Sequence, residues 1–273
     1  MGNIMTDDPQ KFLEAALGAV KKAEPIFCRY FGKARGVTLK PGKTPSLVSD
    51  ADKEIETLLS KEISAHFPKH AIVGEEFPAV KKESEFTPHL PKGAGYTWYI
   101  DPIDGTTNYV HGFAHCCISV GLWDVKGPLV GVVSDPISGI LYHAVRGGGA
   151  FKNGKCISVS ARGALSDCLG TIGWKWGEPE TGVDLLRRFA PRVYRLRVLS
   201  SSALDLCLVA EGALDFHASK HSAIWDNAAS MVILTEAGGA VTDWKGEPPS
   251  PPSSTIAASN GKVHGELLGT LEG

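Results

Sequence analysis

The stretch that most constrains this chain is WYIDPIDGTTNYVHGF, residues 98–113. It begins as a short apolar strand, Trp98, Tyr99 and Ile100, and then becomes polar. Asp101 and Asp104 flank Pro102 and Ile103. Proline fixes φ and has no backbone N–H, so a turn is expected here. Gly105 permits an unusual φ or a close backbone approach. Thr106, Thr107 and Asn108 are residue types that start helices. Carboxylates hold hard cations, and the N–H groups at a helix start hold anions. A strand that ends in two carboxylates and runs into a helix can therefore bring divalent cations and a phosphate together. The plain alternative is an Asp-rich turn with both carboxylates in water, since Pro, Asp and Gly are ordinary turn residues.

Along the chain, residues 9–31 read as an amphipathic helix with Phe12, Leu13, Ala16, Leu17, Val20 and Phe27 at helical spacing, and Pro25 is expected to kink or split it. Residues 36–49 read as a loop or irregular hairpin. A second helix is expected over 50–67. Its first turn holds Asp50 and Asp52, where carboxylates meet the positive end of the helix dipole. Ala71, Ile72 and Val73 read as a short buried strand delivering Glu75 and Glu76. Residues 77–96 read as an exposed loop.

From Cys116 the pattern becomes antiparallel sheet, with Ile118, Val120 and Leu122 alternating and further strands at 129–133 and 140–145. The glycine run from Arg146 to Phe151 lacks the Lys-Ser/Thr ending of a phosphate loop, and with Asn153-Gly154 it reads as tight turns. After about Ser160 the texture changes to alternating strand and helix. Strands are expected at 168–172, 193–199, 213–216, 240–242 and 255–258. Helices are expected at 182–190, 201–212, from Asp226 to a stop at Gly238-Gly239, and at 261–271. Residues 248–252 read as a short Pro-rich loop. The expected division is an α+β half, 1–160, and an α/β half, 161–273, forming one catalytic unit.

A chain of 273 residues, 43% hydrophobic and 21% charged, suits a folded enzyme of one large domain or two joined halves. Lys plus Arg is 28 against 30 Asp plus Glu, so no basic excess points to nucleic acid or an anionic membrane surface. No apolar run is long enough to span a bilayer. The start, MGNIMTDDPQ, lacks the features of a signal peptide. Met1-Gly2 with Thr6 formally matches a myristoylation pattern, but Met5 offers another start and lipidation is not expected. Six cysteines without CxxC spacing argue against zinc and for reduced thiols in a cytoplasmic protein.

Phosphate monoesters hydrolyse very slowly unaided, so an enzyme must neutralise charge and position a water. Divalent ions do both, and they need carboxylates converging from separate segments. Glu75, Asp101, Asp104 and Asp226 are the candidates. Taken singly, Glu75 reads as an exposed acid, and Asp226 and Thr106 as helix caps. His111, His115, His217 and His221 show no metal-binding spacing and read as structural or exposed. Ser200, Ser201 and Ser202 lack a Gly-x-Ser-x-Gly elbow.

Three segments together, the 98–113 stretch, Gly74-Glu75-Glu76 and WDNAASMVILTEAGG at 225–239, resemble the inositol monophosphatase family of magnesium-dependent, lithium-sensitive phosphatases. They stand in family order, and the resemblance runs from about Phe12 to the last helix. It implies a layered αβαβα sandwich of the inositol monophosphatase and fructose-1,6-bisphosphatase type, with the site in a cleft between the halves. It implies two or three magnesium ions on Glu75, Asp101, Asp104, Asp226 and the carbonyl of Ile103. It further implies a water activated by Thr106 with Asp52 and Glu75, a phosphate on the N–H groups of Gly105 and Thr106, and a homodimer. No nucleic-acid or membrane partner is expected, only a small phosphorylated metabolite.

The expected reaction is hydrolysis of inositol 1-phosphate or a similar polyol or sugar phosphate. Asp104, Ser202 and Ser219 are the candidate substrate residues. Inositol-selective members commonly carry Glu where this chain has Ser219, in a segment read as a loop, 217–222. Lys220 would suit a second phosphate. Ser46 stands where the family often has Asp, so weaker lithium sensitivity is expected; Lys40 and Lys43 lie in the same loop. Histidinol phosphate, fructose 1,6-bisphosphate and 3′-phosphoadenosine 5′-phosphate are alternatives within the family. A non-catalytic metal-binding regulatory protein is the remote alternative, and the intact acidic set argues against it.

Overall fold

The structure, a computed structural model, describes residues 8–33, 38–39, 47–76, 95–175, 177–220, 222–249 and 255–272. Residues 77–94 of the expected exposed loop lie outside them, as do Lys40, Lys43, Ser46, His221 and residues 250–252.

Helix α1 (Pro9–Tyr30) starts with Asp8 capping the N–H of Gln10 at 3.0 Å. It runs unbroken through Pro25, so the expected split does not occur. Pro25 and Lys21, whose carbonyl loses its N–H partner, both lie on the exposed face, open to solvent. Ala23, Ile26 and Phe27 bury the opposite face and hold the last turns. Two short strands, β1 (Thr38–Leu39) and β2 (Leu47–Val48), pair antiparallel. Helix α2 (Asp50–His66) follows.

The first large sheet has seven strands in chain order: β3 (Ala71–Gly74), β4 (Tyr96–Asp104), β5 (Cys117–Asp124), β6 (Gly127–Asp135), β7 (Ile140–Val145), β8 (Ala150–Lys152) and β9 (Lys155–Cys156). Only the β3–β4 pair is parallel. Helix α3 (Thr106–His111) interrupts the chain between β4 and β5. Strand β4 differs from the expected short strand and turn. It continues through Pro102 to Asp104, and its register against β5 shifts between Asp101 and Asp104. A bulge re-aims side chains and breaks the ladder locally, which removes the objection to a residue without an N–H.

The second half supplies β10 (Leu169–Gly173), α4 (Pro179–Phe189), β11 (Arg195–Arg197), α5 (Ser202–Ala210), β12 (Phe216–Lys220), α6 (Ile224–Glu236), β13 (Ala240–Thr242), β14 (Thr255–Ser259) and α7 (His264–Glu272). Its five strands lie in the order β11-β10-β12-β14-β13. Strand β12 begins later than the expected 213–216. Gly212 takes φ 76°, and the N–H groups of Ala213 and Leu214 both turn back to the Leu208 carbonyl, so the helix end consumes those residues. Most of the segment expected as a loop at 217–222 is therefore strand.

Three apolar layers bind the elements. On one face of the large sheet, Trp98, Ile100, Val120 and Leu122 pack against Phe12, Phe27, Ile55 and Leu59 of α1 and α2. On the other, Tyr99, Cys117 and Tyr142 pack against α5 and α6. Phe216 and Ala218 then face Leu185 and Phe189 of α4 and Leu267 of α7. The result is the layered αβαβα sandwich. Among the described residues no helix is long and apolar enough to cross a membrane.

One close approach sets the position of α6. Gly121 and Gly131 sit opposite each other on β5 and β6. A Cβ on Gly121 would stand 2.7 Å from the Ala228 carbonyl carbon, and one on Gly131 would collide with the Ala229 carbonyl oxygen. Trp123 adds a hydrogen bond from Nε1 to the Ala228 carbonyl at 3.2 Å. With α6 pressed onto the sheet, its first turn reaches the end of β4.

Candidate active site

The site grows from the bulged end of β4. Asp101 is buried, and its Oδ1 accepts the Ile103 N–H at 3.0 Å. Gly105 precedes α3 with φ 84°, and a Cβ there would meet the His115 carbonyl oxygen at 2.9 Å. Only glycine meets both demands. The Thr106 hydroxyl donates to the Ile103 carbonyl at 3.0 Å. Asn108 uses Nδ2 to bridge the carbonyls of His115 and Leu199, at 2.8 and 2.7 Å. The start of α3 is thereby tied to both flanking segments.

Each remaining acid comes from a different element. Asp104 Oδ2 accepts the Ser201 hydroxyl at 2.6 Å and the Ala203 N–H at 2.8 Å, at the start of α5. Asp226, in the first turn of α6, accepts the Ala223 N–H at 2.8 Å and the Ser222 hydroxyl at 3.2 Å through Oδ2. Its capping role therefore occupies one oxygen. The N–H of Glu75 extends the β3–β4 ladder to the Ile100 carbonyl, and its side chain shares a hydrogen bond with Asp101. Asp52 closes a capping box on α2, with Oδ2 accepting the Ser49 N–H at 2.8 Å and its hydroxyl at 2.5 Å. Its Oδ1 is buried and has no hydrogen-bond partner among the described residues. One turn on, Glu56 accepts the Glu76 N–H at 2.8 Å and fills the space beside Gly74.

The electrostatics follow from this convergence. Burial raises Asp101 well above the usual carboxylate range, and the charges of Glu75, Asp104 and Asp226 add to it. Burial, then Asp104 and Glu75, push Asp226 up to about 8. Burial lifts Asp104 to about 6 against the pull of its Ser201 and Ala203 bonds. Asp52 rises to about 7, again chiefly by burial, with Glu76 and Glu75 adding to it against its Ser49 bonds. Buried carboxylates that repel one another are relieved either by protons or by cations. Among the described residues no three of these acids stand close enough together to hold a metal ion as they are placed. They stand near enough to feel each other's charge, while Asp101, Asp104 and Asp226 each hold backbone or hydroxyl donors. An all-oxygen donor set of this kind fits a hard divalent cation such as magnesium.

Beside the acids lies a polar cluster that includes His115 and His217, two of the histidines expected to be structural or exposed. Asp205 is buried on α5 and is bonded by His115 Nε2 at 2.9 Å and His217 Nδ1 at 3.2 Å. His217 also meets Thr171 Oγ1 at 2.8 Å and Ser202 Oγ at 3.4 Å. Asp205 is held below the usual carboxylate range by the two histidines, against the opposing effect of its burial. The available signal was one acid inside the apolar run Leu204 to Cys207, because a buried carboxylate requires partners. Ser219 lies on the same face of β12 as His217, paired with Gly173 and Ile256. Lys220 alternates to the opposite face from Ser219.

Comparison with known proteins agrees with this arrangement. The family model described as the inositol monophosphatase family matches residues 8–272. Inositol monophosphatase 1 of Solanum lycopersicum is 38% identical over 258 residues, covering 92% of this chain and 91% of that protein. A Thermotoga maritima protein named fructose-1,6-bisphosphatase/inositol-1-monophosphatase is 31% identical and covers 94% of both chains. The solved structure of an IMPase from Thermotoga maritima aligns with a TM-score of 0.84 at 32% identity, over 96% of this chain and 97% of that one.

Proposed function

Since the chain belongs to the inositol monophosphatase family and is a phosphoric monoester hydrolase, we propose that it uses magnesium to hydrolyse small polyol and sugar monophosphates, inositol 1-phosphate among them. The observation that carries this reading is the convergence of buried Asp101 and Asp104 with half-buried Glu75 and Asp226, mutually repelling, beside the Gly105–Thr106 backbone. Two or three magnesium ions on these acids and the Ile103 carbonyl would supply charge neutralisation and a more acidic water. Asp101, which feels the charges of Glu75, Asp104 and Asp226, would be among the residues holding those ions. The N–H groups of Gly105 and Thr106 hold the phosphate. Thr106 donates its own proton to the Ile103 carbonyl, so its oxygen accepts from the attacking water. The proton that the water loses would pass to one carboxylate, Glu75 or Asp52. Cytoplasmic location and a homodimer belong to the same proposal, and light scattering tests the latter.

Choice of alcohol falls to Asp104, Ser202 and Ser219. A hydroxyl at position 219 offers a neutral hydrogen bond, worth about 0.5–1.5 kcal/mol, where a carboxylate would offer about 1.5–3. The difference is roughly tenfold in selectivity, which favours broad use of small esters. The placement of Lys220 across the strand from Ser219 gives no support to a second-phosphate site at that residue. The test is kcat/KM for inositol 1-phosphate, glycerol 2-phosphate, histidinol phosphate, fructose 1,6-bisphosphate and 3′-phosphoadenosine 5′-phosphate, each with magnesium and with EDTA. Comparable magnesium-dependent rates on the polyol esters are expected. Turnover in EDTA would overturn the metal role, and a preference of about a hundredfold for one ester would overturn the broad specificity.

A further inference from the structure

We propose that Asp205 is a positioning residue for Asp104, fixing the first turn of α5 so that one oxygen of Asp104 stays directed at the other acids. This inference rests on the reading of those acids as a magnesium site. Asp104 Oδ2 is taken up by Ser201 and Ala203, the first turn of α5, and Oδ1 has no hydrogen bond among the described residues. The orientation of the carboxylate is therefore only as firm as that turn. The rest of α5 is held by Leu204, Leu206, Cys207 and Val209 in the apolar layer. Such packing is non-directional and tolerates small slides. Asp205 provides the directional restraint.

The restraint closes a circuit. The His115 ring bonds Asp205 while its carbonyl receives Asn108. Asn108 also bonds the Leu199 carbonyl, just ahead of Ser201. From the far side, His217 on β12 bonds the second oxygen of Asp205 and reaches Ser202 and Thr171. Three segments that border the acids, the α3 start, the 112–116 loop and the α5 start, are thus bound to one another and to the second sheet. Both oxygens of Asp205 are spent on this task, so it is not itself offered to a cation.

Asp205→Asn keeps the shape and removes the charge that holds two imidazoles at once. Magnesium binding is measured by calorimetry on the full chain without substrate, alongside kcat, KM for glycerol 2-phosphate and melting temperature in EDTA. The expected result is a magnesium affinity about tenfold weaker and a lower kcat, with KM within about twofold, together with a lower melting temperature in EDTA because a buried carboxylate with two partners is lost. His115→Asn, which removes one of the two bonds, should give a smaller loss. The double variant should be no worse than Asp205→Asn alone, because both act through one circuit. If Asp205→Asn does not fold, His115→Asn carries the test. Wild-type magnesium affinity in either variant, or a defect confined to the melting temperature, would overturn the positioning role. Absence of turnover in the wild type would instead overturn the proposed function, a separate outcome.

Discussion

Replacing Asp226 by asparagine should make the protein more stable in EDTA while abolishing its response to magnesium. The carboxyl of Asp226 is buried near Asp104 and Glu75, which lifts it from an ordinary 3.8 to about 8. One pH unit of such a shift corresponds to about 1.4 kcal/mol. At pH 7.5 the fold therefore carries a penalty with a ceiling of about 5 kcal/mol at this position. Two effects reduce what the substitution recovers. Asp101 and Asp104 share the same repulsion, and the new amide N–H₂ is itself a buried polar group that needs partners. The Asn oxygen can still accept the Ala223 N–H, so the helix keeps its cap. A gain of about 1–3 kcal/mol is expected, a rise of roughly 2–8 °C in melting temperature for a chain of this size.

The sign of the pH dependence is fixed by the same shift. Below about pH 4 the carboxyl is protonated in both the folded and the unfolded chain, and the two proteins should melt alike. From pH 4 to 8 the unfolded wild type loses its proton first and the folded form retains it. Wild-type stability therefore falls through this window and the gap to Asp226→Asn opens. Calorimetric melting across pH 4–8 in EDTA, repeated with magnesium, checks each part. Magnesium should raise the wild type and leave the variant nearly unmoved. A variant that melts below the wild type at pH 7.5 in EDTA, or a gap that ignores pH, refutes the reasoning.

Thr106→Ala should lower kcat by about a hundredfold or more with little change in KM; a drop below about fivefold would leave the hydroxyl as only a tie to the Ile103 carbonyl. Ser219→Glu should raise kcat/KM for inositol 1-phosphate relative to glycerol 2-phosphate, and an unchanged ratio would show that position 219 does not meet the alcohol. Ser200 holds φ 63°, a strained value for a residue with a Cβ, just ahead of the α5 turn that binds Asp104. Ser200→Gly should therefore add about 0.5–1 kcal/mol of stability, and a lower melting temperature counts against it. Gly131→Ala should cost about 1–3 kcal/mol by driving a methyl into the Ala229 carbonyl, and activity should fall with it as α6 shifts Asp226; full activity would show that α6 is not so constrained.

The 98–113 stretch was legible because its information is local. A strand, a proline, a positive-φ glycine and a helix start follow one another within a few residues, and each follows from backbone sterics. Asp226 was legible in the same way, as an acid opening a helix that ends at Gly238-Gly239. The start of β12 was misread because Ala213 to Phe216 has the apolar character of a strand. The α5 end, turning back onto the Leu208 carbonyl, consumed its first residues. At α1 only the expected split failed, since the local cost of Pro25 was outweighed by burial of Ala23, Ile26 and Phe27.

Within the site the same division holds. Which residues are acids, and that several end strands or open helices, can be read from the chain alone. That one oxygen of Asp104 belongs to α5, that Asp226 is lifted to about 8, and that Asp205 joins His115 and His217 cannot. His115 and Asp205 are 90 residues apart in sequence and 2.9 Å apart in space. Charge repulsion, burial and hydrogen-bond direction act over ångströms between atoms, so they take their values only once β3, β4, α5, α6 and β12 are packed together.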